Sequence, residues 1–65
     1  MKTMAEKLVD EFYKNDTREH RDLVMKKIER SRCDFDYHGG VEYTYYFDDD
    51  SVVYVNEFEV VADMI

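Results

Sequence analysis

The chain has 65 residues, no proline and one cysteine, and carries a formal net charge of −7 with 45% hydrophobic and 15% aromatic residues. A chain of this size buries only ~60% of the surface its unfolded form exposes, so one thin core is expected, with no internal disulfide to reinforce it. The acidic balance excludes a protein that tracks a nucleic-acid backbone, which needs surplus Lys and Arg, and speaks against binding to anionic membrane surfaces.

The segment after Met1 (Lys2-Thr3-Met4-Ala5-Glu6-Lys7) has no apolar leader, and no later run is long enough to span a bilayer. The chain therefore reads as one domain, 1–65, soluble and cytoplasmic. In the first half Met4, Leu8 and Phe12 recur at i, i+4 and i+8, with Ala5 and Val9 widening the stripe. Asn15, which tolerates a left-handed helix end, interrupts this pattern. Asp16 with Glu19 three residues on has the form of a capping box and would open a second helix burying His20, Leu23, Val24 and Ile28. A single bent helix is the alternative. Lys26, Lys27, Arg30 and Arg32 fall in the last turns, where the helix dipole favours cations.

From Cys33 onward the hydropathy alternates with period two, as half-buried strands do. Gly39-Gly40 and Asp48-Asp49-Asp50-Ser51 mark turns. These signals predict strands at 33–37, 41–47 and 52–61. The fold class expected is α+β: helices over 1–32 packed on a three-stranded antiparallel meander over 33–61. A four-residue loop at 48–51 would set Phe47 opposite Val52 and Tyr45 opposite Tyr54, and a three-residue loop at 38–40 would set Tyr37 opposite Val41. The inward face would then hold Phe35, Tyr37, Val41, Tyr43, Tyr45, Phe47, Val52, Tyr54, Asn56 and Phe58.

Charge is divided sharply along the chain. All nine bases lie in residues 1–33, which sum to +2; the remainder has nine acids and no base. In the expected register Asp36 lies opposite Glu42 and Glu42 opposite Glu57, a row of carboxylates across three strands. Like charges placed directly opposite destabilise a sheet, and solubility alone would be served by mixed charge.

Several chemistries compete with that pattern. Asp34, Asp36, His38, Gly39 and Glu42 match part of a calcium-loop spacing, but Tyr45 stands where a bidentate Glu is required. A glycine turn is the better reading. Cys33, His38 and His20 match no zinc-ligand spacing, and Cys33 reads as a small buried residue at a helix-to-strand junction. No nucleophile, base and acid arrangement points to an enzyme, and no cofactor motif is present. The basic end of the second helix could contact nucleic acid only beside the repelling Asp48-Asp49-Asp50 tip, so dipole placement explains it better.

The expectation is a non-enzymatic binding protein whose acidic face fits a positively charged site. Asp36, Glu42 and Glu57 would form its centre, Asp34 and Glu59 its flanks, Tyr46 an aromatic anchor and Asp48, Asp49 and Asp50 a steering tip. In charge and size alone it resembles nucleic-acid mimics, small inhibitors of the kind viruses aim at DNA-handling enzymes. The implied partner is a basic or nucleic-acid-binding protein. The competing expectation is a homo-oligomeric structural or regulatory module acting through its helices or the apolar tail of Val60, Val61, Met64 and Ile65, with the third strand as a sheet edge that two copies could pair into a homodimer.

Overall fold

The computed structural model describes residues 1–65. Two helices, α1 (Met4–Tyr13) and α2 (Arg18–Ser31), precede four strands: β1 (Asp34–Gly39), β2 (Glu42–Tyr46), β3 (Ser51–Val55) and β4 (Val60–Met64). The strands form one antiparallel sheet in the order β1-β2-β3-β4. The architecture is α+β, with four strands rather than the expected three.

The start of α1 is fastened twice. Locally, the Thr3 hydroxyl accepts from the Glu6 N–H (3.2 Å) and the Glu6 carboxylate from the Thr3 N–H (3.0 Å), a reciprocal capping box. From across the fold, the Met4 N–H donates to Asp49 Oδ2 (2.8 Å) and the Ala5 N–H to the Ser51 hydroxyl (3.1 Å). Together these pairs satisfy donors that a helix start leaves without partners. Ser51 is fully buried, so Ser51→Ala should strand the Ala5 N–H and cost about 1–3 kcal/mol. A thermal melt checks this, and an unchanged midpoint would mean that the bond contributes nothing.

The break between the helices differs in detail from its sequence signal. The N-cap of α2 is Thr17, whose hydroxyl accepts from the His20 N–H (3.3 Å), not Asp16. Asn15 is not left-handed; its side chain accepts from the Thr17 N–H (2.9 Å) and so turns the chain. There are two helices, not one bent helix. Val24 and Ile28 are buried against α1, while the His20 ring lies 2.7 Å from the Glu11 carbonyl. Leu23, expected inside, is 65% exposed. The buried stripe runs through 20, 24 and 28, and position 23 is rotated about 100° away from it.

The sheet corrects the expected register in two ways. Between β1 and β2 the pairing moves by two residues, to Phe35↔Tyr45 and Tyr37↔Tyr43, with an irregularity before Gly39↔Glu42. An even shift keeps Phe35, Tyr37, Tyr43 and Tyr45 on their expected face, while Val41, expected inside, falls in the turn and is exposed. Gly39 and Gly40 have φ of 121° and 55°, which close this turn. Between β2 and β3 the shift is one residue, to Tyr45↔Val53 and Tyr46↔Val52. The loop holds three residues, not four. The Asp50 N–H bonds the Phe47 carbonyl (3.3 Å), Asp50 takes φ 65°, and the Phe47 N–H bonds the Ser51 carbonyl (3.0 Å). A three-residue hairpin of this form ends on a left-handed residue, a conformation Asp can adopt.

That single residue turns β3 inside out. Val53 is buried in the core, whereas Tyr54 is on the opposite face and exposed. The expected long third strand is broken as well. Asn56 Oδ1 accepts from the Phe58 N–H (2.8 Å) and the Glu59 N–H (2.9 Å), folding 56–59 into a turn that returns as β4. Asn56 is therefore a turn residue and Phe58, expected inside, is 88% exposed at the tip. The sheet edges are β1 and β4, not β3. On each edge strand one N–H is taken by the preceding aspartate: Phe35 donates to Asp34 Oδ1 (2.8 Å) and Met64 to Asp63 Oδ1 (2.8 Å).

The core lies between the helices and one face of the sheet, where Ala5, Leu8, Phe12, Val24 and Ile28 meet Tyr45, Phe47, Val53 and Val60. Tyr13 pins β4 to α1 through its hydroxyl, which accepts from the Val60 N–H (2.9 Å). No helix is long and apolar enough to cross a membrane.

Candidate functional site

Strand alternation sends every second side chain to the face away from the helices, and no element covers that face. It carries Asp34, Asp36 and His38 from β1, Glu42, Thr44 and Tyr46 from β2, Val52 and Tyr54 from β3, and Val61 and Asp63 from β4. At its centre Thr44 and Val52 are buried without any helix above them. Their cross-strand partners explain this: Asp36 and Tyr54 flank Thr44, and Tyr46 and Asp63 flank Val52. The result is a polar and aromatic surface rather than a second core.

Two side-chain bonds organise it. The Tyr46 hydroxyl donates to Asp36 Oδ2 (2.6 Å), and the His38 ring nitrogen Nε2 lies 2.9 Å from the Thr44 hydroxyl. His38, Glu42, Thr44, Tyr54 and Asn56 border a shallow depression of about 300 Å³.

The bond to the Asp36 carboxylate, with some desolvation and the negative charge beside it, raises the Tyr46 phenol above its ordinary value. Its folded value therefore exceeds the unfolded one. The stability it contributes is complete below the unfolded value of about 10 and is lost as pH rises through the higher folded value. Asp36→Asn should bring the phenol back toward its ordinary range. Ultraviolet titration, taken as the difference between the parent chain and Tyr46→Phe, reads this directly; an unmoved midpoint in Asp36→Asn would remove Asp36 as the cause.

The expected site residues are only partly brought together. Asp34, Asp36, Glu42 and Tyr46 do share the open face. The expected row does not exist: Asp36 stands opposite Thr44, and Glu42 opposite Gly39. Glu57 and Glu59 leave the ladder for the β3–β4 turn, where they flank Phe58. Asp48, Asp49 and Asp50 lie at the other end of the sheet. Asp49 is engaged there: the Met4 N–H, then the Ser51 hydroxyl, hold its carboxyl below the usual range. That contribution is present above the unfolded value and is lost as pH falls through the depressed folded one.

Asp63 and Tyr54 join the face unannounced by the sequence pattern. The signal that could have placed Asp63 is Asn56, since an Asn can hydrogen-bond the backbone two residues on and reverse the chain; Tyr54 reaches the face through the shorter loop at 48–50. Phe58 concealed it by extending the apolar alternation.

The metal patterns fall apart in space. No three His, Cys, Asp or Glu side chains converge as ligands would. Cys33 is exposed, not buried, and its thiol donates to the Tyr46 carbonyl (3.3 Å). Local desolvation and the neighbouring Asp48 raise its pKa, so it stays a thiol near neutral pH.

The ion pairs complete the electrostatic picture. All three are confined to the first half of the chain: Lys2–Asp10, Arg18–Asp22 and Lys27–Glu11. None of the nine carboxylates after Cys33 is paired with a base. Bases and sheet carboxylates therefore occupy different layers. No protein family, curated protein or solved structure matches the chain.

Proposed function

We propose that the chain is a small non-enzymatic binding protein whose open sheet face occupies a positively charged site on a nucleic-acid-handling protein, as a nucleic-acid mimic would. One observation carries this reading: the uncovered face bears Asp34, Asp36, Glu42 and Asp63 around Tyr46 and Tyr54, and none of these acids has a basic partner within the chain. Carboxylates without internal basic partners keep their field for a target, raising association rate and specificity. The tyrosines supply flat surface of the kind that anchors interfaces. Glu57 and Glu59 at one end, with Asp48 and Asp50 at the other, extend the negative potential along the sheet.

The test uses the immobilised chain and a panel of purified basic DNA- and RNA-binding proteins. The reading expects a retained protein to be displaced by added duplex DNA or structured RNA, because both occupy one site. It also expects retention to fall steeply with salt, since exposed charges are screened over ~8 Å at physiological ionic strength. Retention indifferent to both nucleic acid and salt would overturn it.

A further inference from the structure

The helices cover only part of their own side of the sheet. Helix α1 packs over β3 and β4, and an aromatic ladder on β1 and β2 is left partly open. Phe35 is 43% and Tyr37 58% exposed. Their rings pack on Tyr43, with centroids 6.2 Å from Phe35 and 5.0 Å from Tyr37, and Tyr43 stacks on Tyr45 at 5.7 Å. The Arg32 guanidinium lies over Phe35 at 4.5 Å and near Tyr45 at 5.9 Å. Phe35, Tyr43, Tyr45 and Arg32 line, with Glu29, a hollow of about 280 Å³, and Tyr37 extends the ladder beyond it.

We propose that this ladder is the contact surface between two copies of the chain, packed face to face about a two-fold axis. A two-fold interface must be self-complementary, because residue i of one copy meets j of the other and j meets i. The rim of the hollow carries one base and one acid, Arg32 and Glu29. A two-fold whose axis passes between the two sets each against the opposite charge of the second copy, while a uniformly acidic or basic partner would meet one like charge. Over the rest of the sheet, unpaired carboxylates make two copies repel. Here the cation lies on the aromatic rings, and exposed aromatic area draws copies together.

Chain size points the same way. Twelve of the 65 residues are buried, and small scaffolds commonly complete their cores by self-association. The surface lies on the opposite side of the sheet from the acidic face, so the proposal does not rest on the function proposed above, and a dimer would leave both acidic faces free.

The experiment is sedimentation equilibrium of the full chain over rising concentration. The expected result is a monomer–dimer equilibrium that Tyr37→Glu weakens by about tenfold or more, with the circular dichroism spectrum unchanged. Arg32→Glu should also weaken it, and adding Glu29→Arg to that variant should restore it. A chain that stays monomeric up to ~1 mM overturns the proposal. So does a dimer indifferent to Tyr37→Glu, or one in which the double charge exchange fails to recover what the single exchange loses.

Discussion

Ile28→Ala should bring the chain to the edge of unfolding, while Leu23→Ala, five residues earlier on the same helix, should leave its melting temperature almost unchanged. Ile28 is fully buried in the core, whereas Leu23 is mostly exposed. Truncating a buried Ile to Ala costs about 2–5 kcal/mol, because the cavity adds to the lost transfer energy. A domain of this size has of order 3–10 kcal/mol in total, at 0.05–0.15 kcal/mol per residue. Each kcal/mol shifts the midpoint of so small a domain by roughly 4–8 °C, so the Ile28 variant should melt at least about 10 °C lower. The Leu23 variant should stay within about 0.5 kcal/mol of the parent. Melts followed by circular dichroism decide the matter; equal shifts in the two would contradict the packing of α2.

The second large effect concerns binding. Replacing Asp34, Asp36 and Asp63 together by Lys should abolish retention of a basic partner and leave the fold intact. All three are exposed and none is in an ion pair, and like charges set against each other across an interface cost several kcal/mol, or roughly a hundredfold and more in affinity. The companion variant Asp48→Lys with Asp50→Lys changes charge at the end of the sheet. It should slow association while affecting the dissociation rate little. Surface plasmon resonance separates these rates, and full affinity in the triple variant would end the case for the open face.

The choice of Asp63 in that triple shows where the residues alone fell short. The helices were legible because each stripe repeats over several turns, as with Leu8 and Phe12 or His20, Val24 and Ile28, although Met4 at the head of the first stripe is exposed. Periodicity also identified the sheet and three of its four strands. It could not count the residues of a turn. Asp48-Asp49-Asp50-Ser51 contains four turn formers, and only the left-handed Asp50 shows that the loop closes one residue early. From that miscount followed the reversed faces of Val53 and Tyr54. The acidic character of the open face survived because Asp34, Asp36 and Glu42 belong to β1 and β2, whose shift was even. Leu23 failed for another reason: an apolar residue beside a stripe looks the same as one within it until the partner helix is placed.

The aspartates of the two edge strands bear on a different hazard. A free strand edge is a template for further strands, and stacked sheets of that kind grow into fibrils. Here the Phe35 and Met64 N–H groups are already occupied by the side chains of Asp34 and Asp63. An incoming strand would have to displace a carboxylate at either edge and approach its charge. A chain rich in β-branched and aromatic residues thereby resists edge-on polymerisation with acids that lie on its open face.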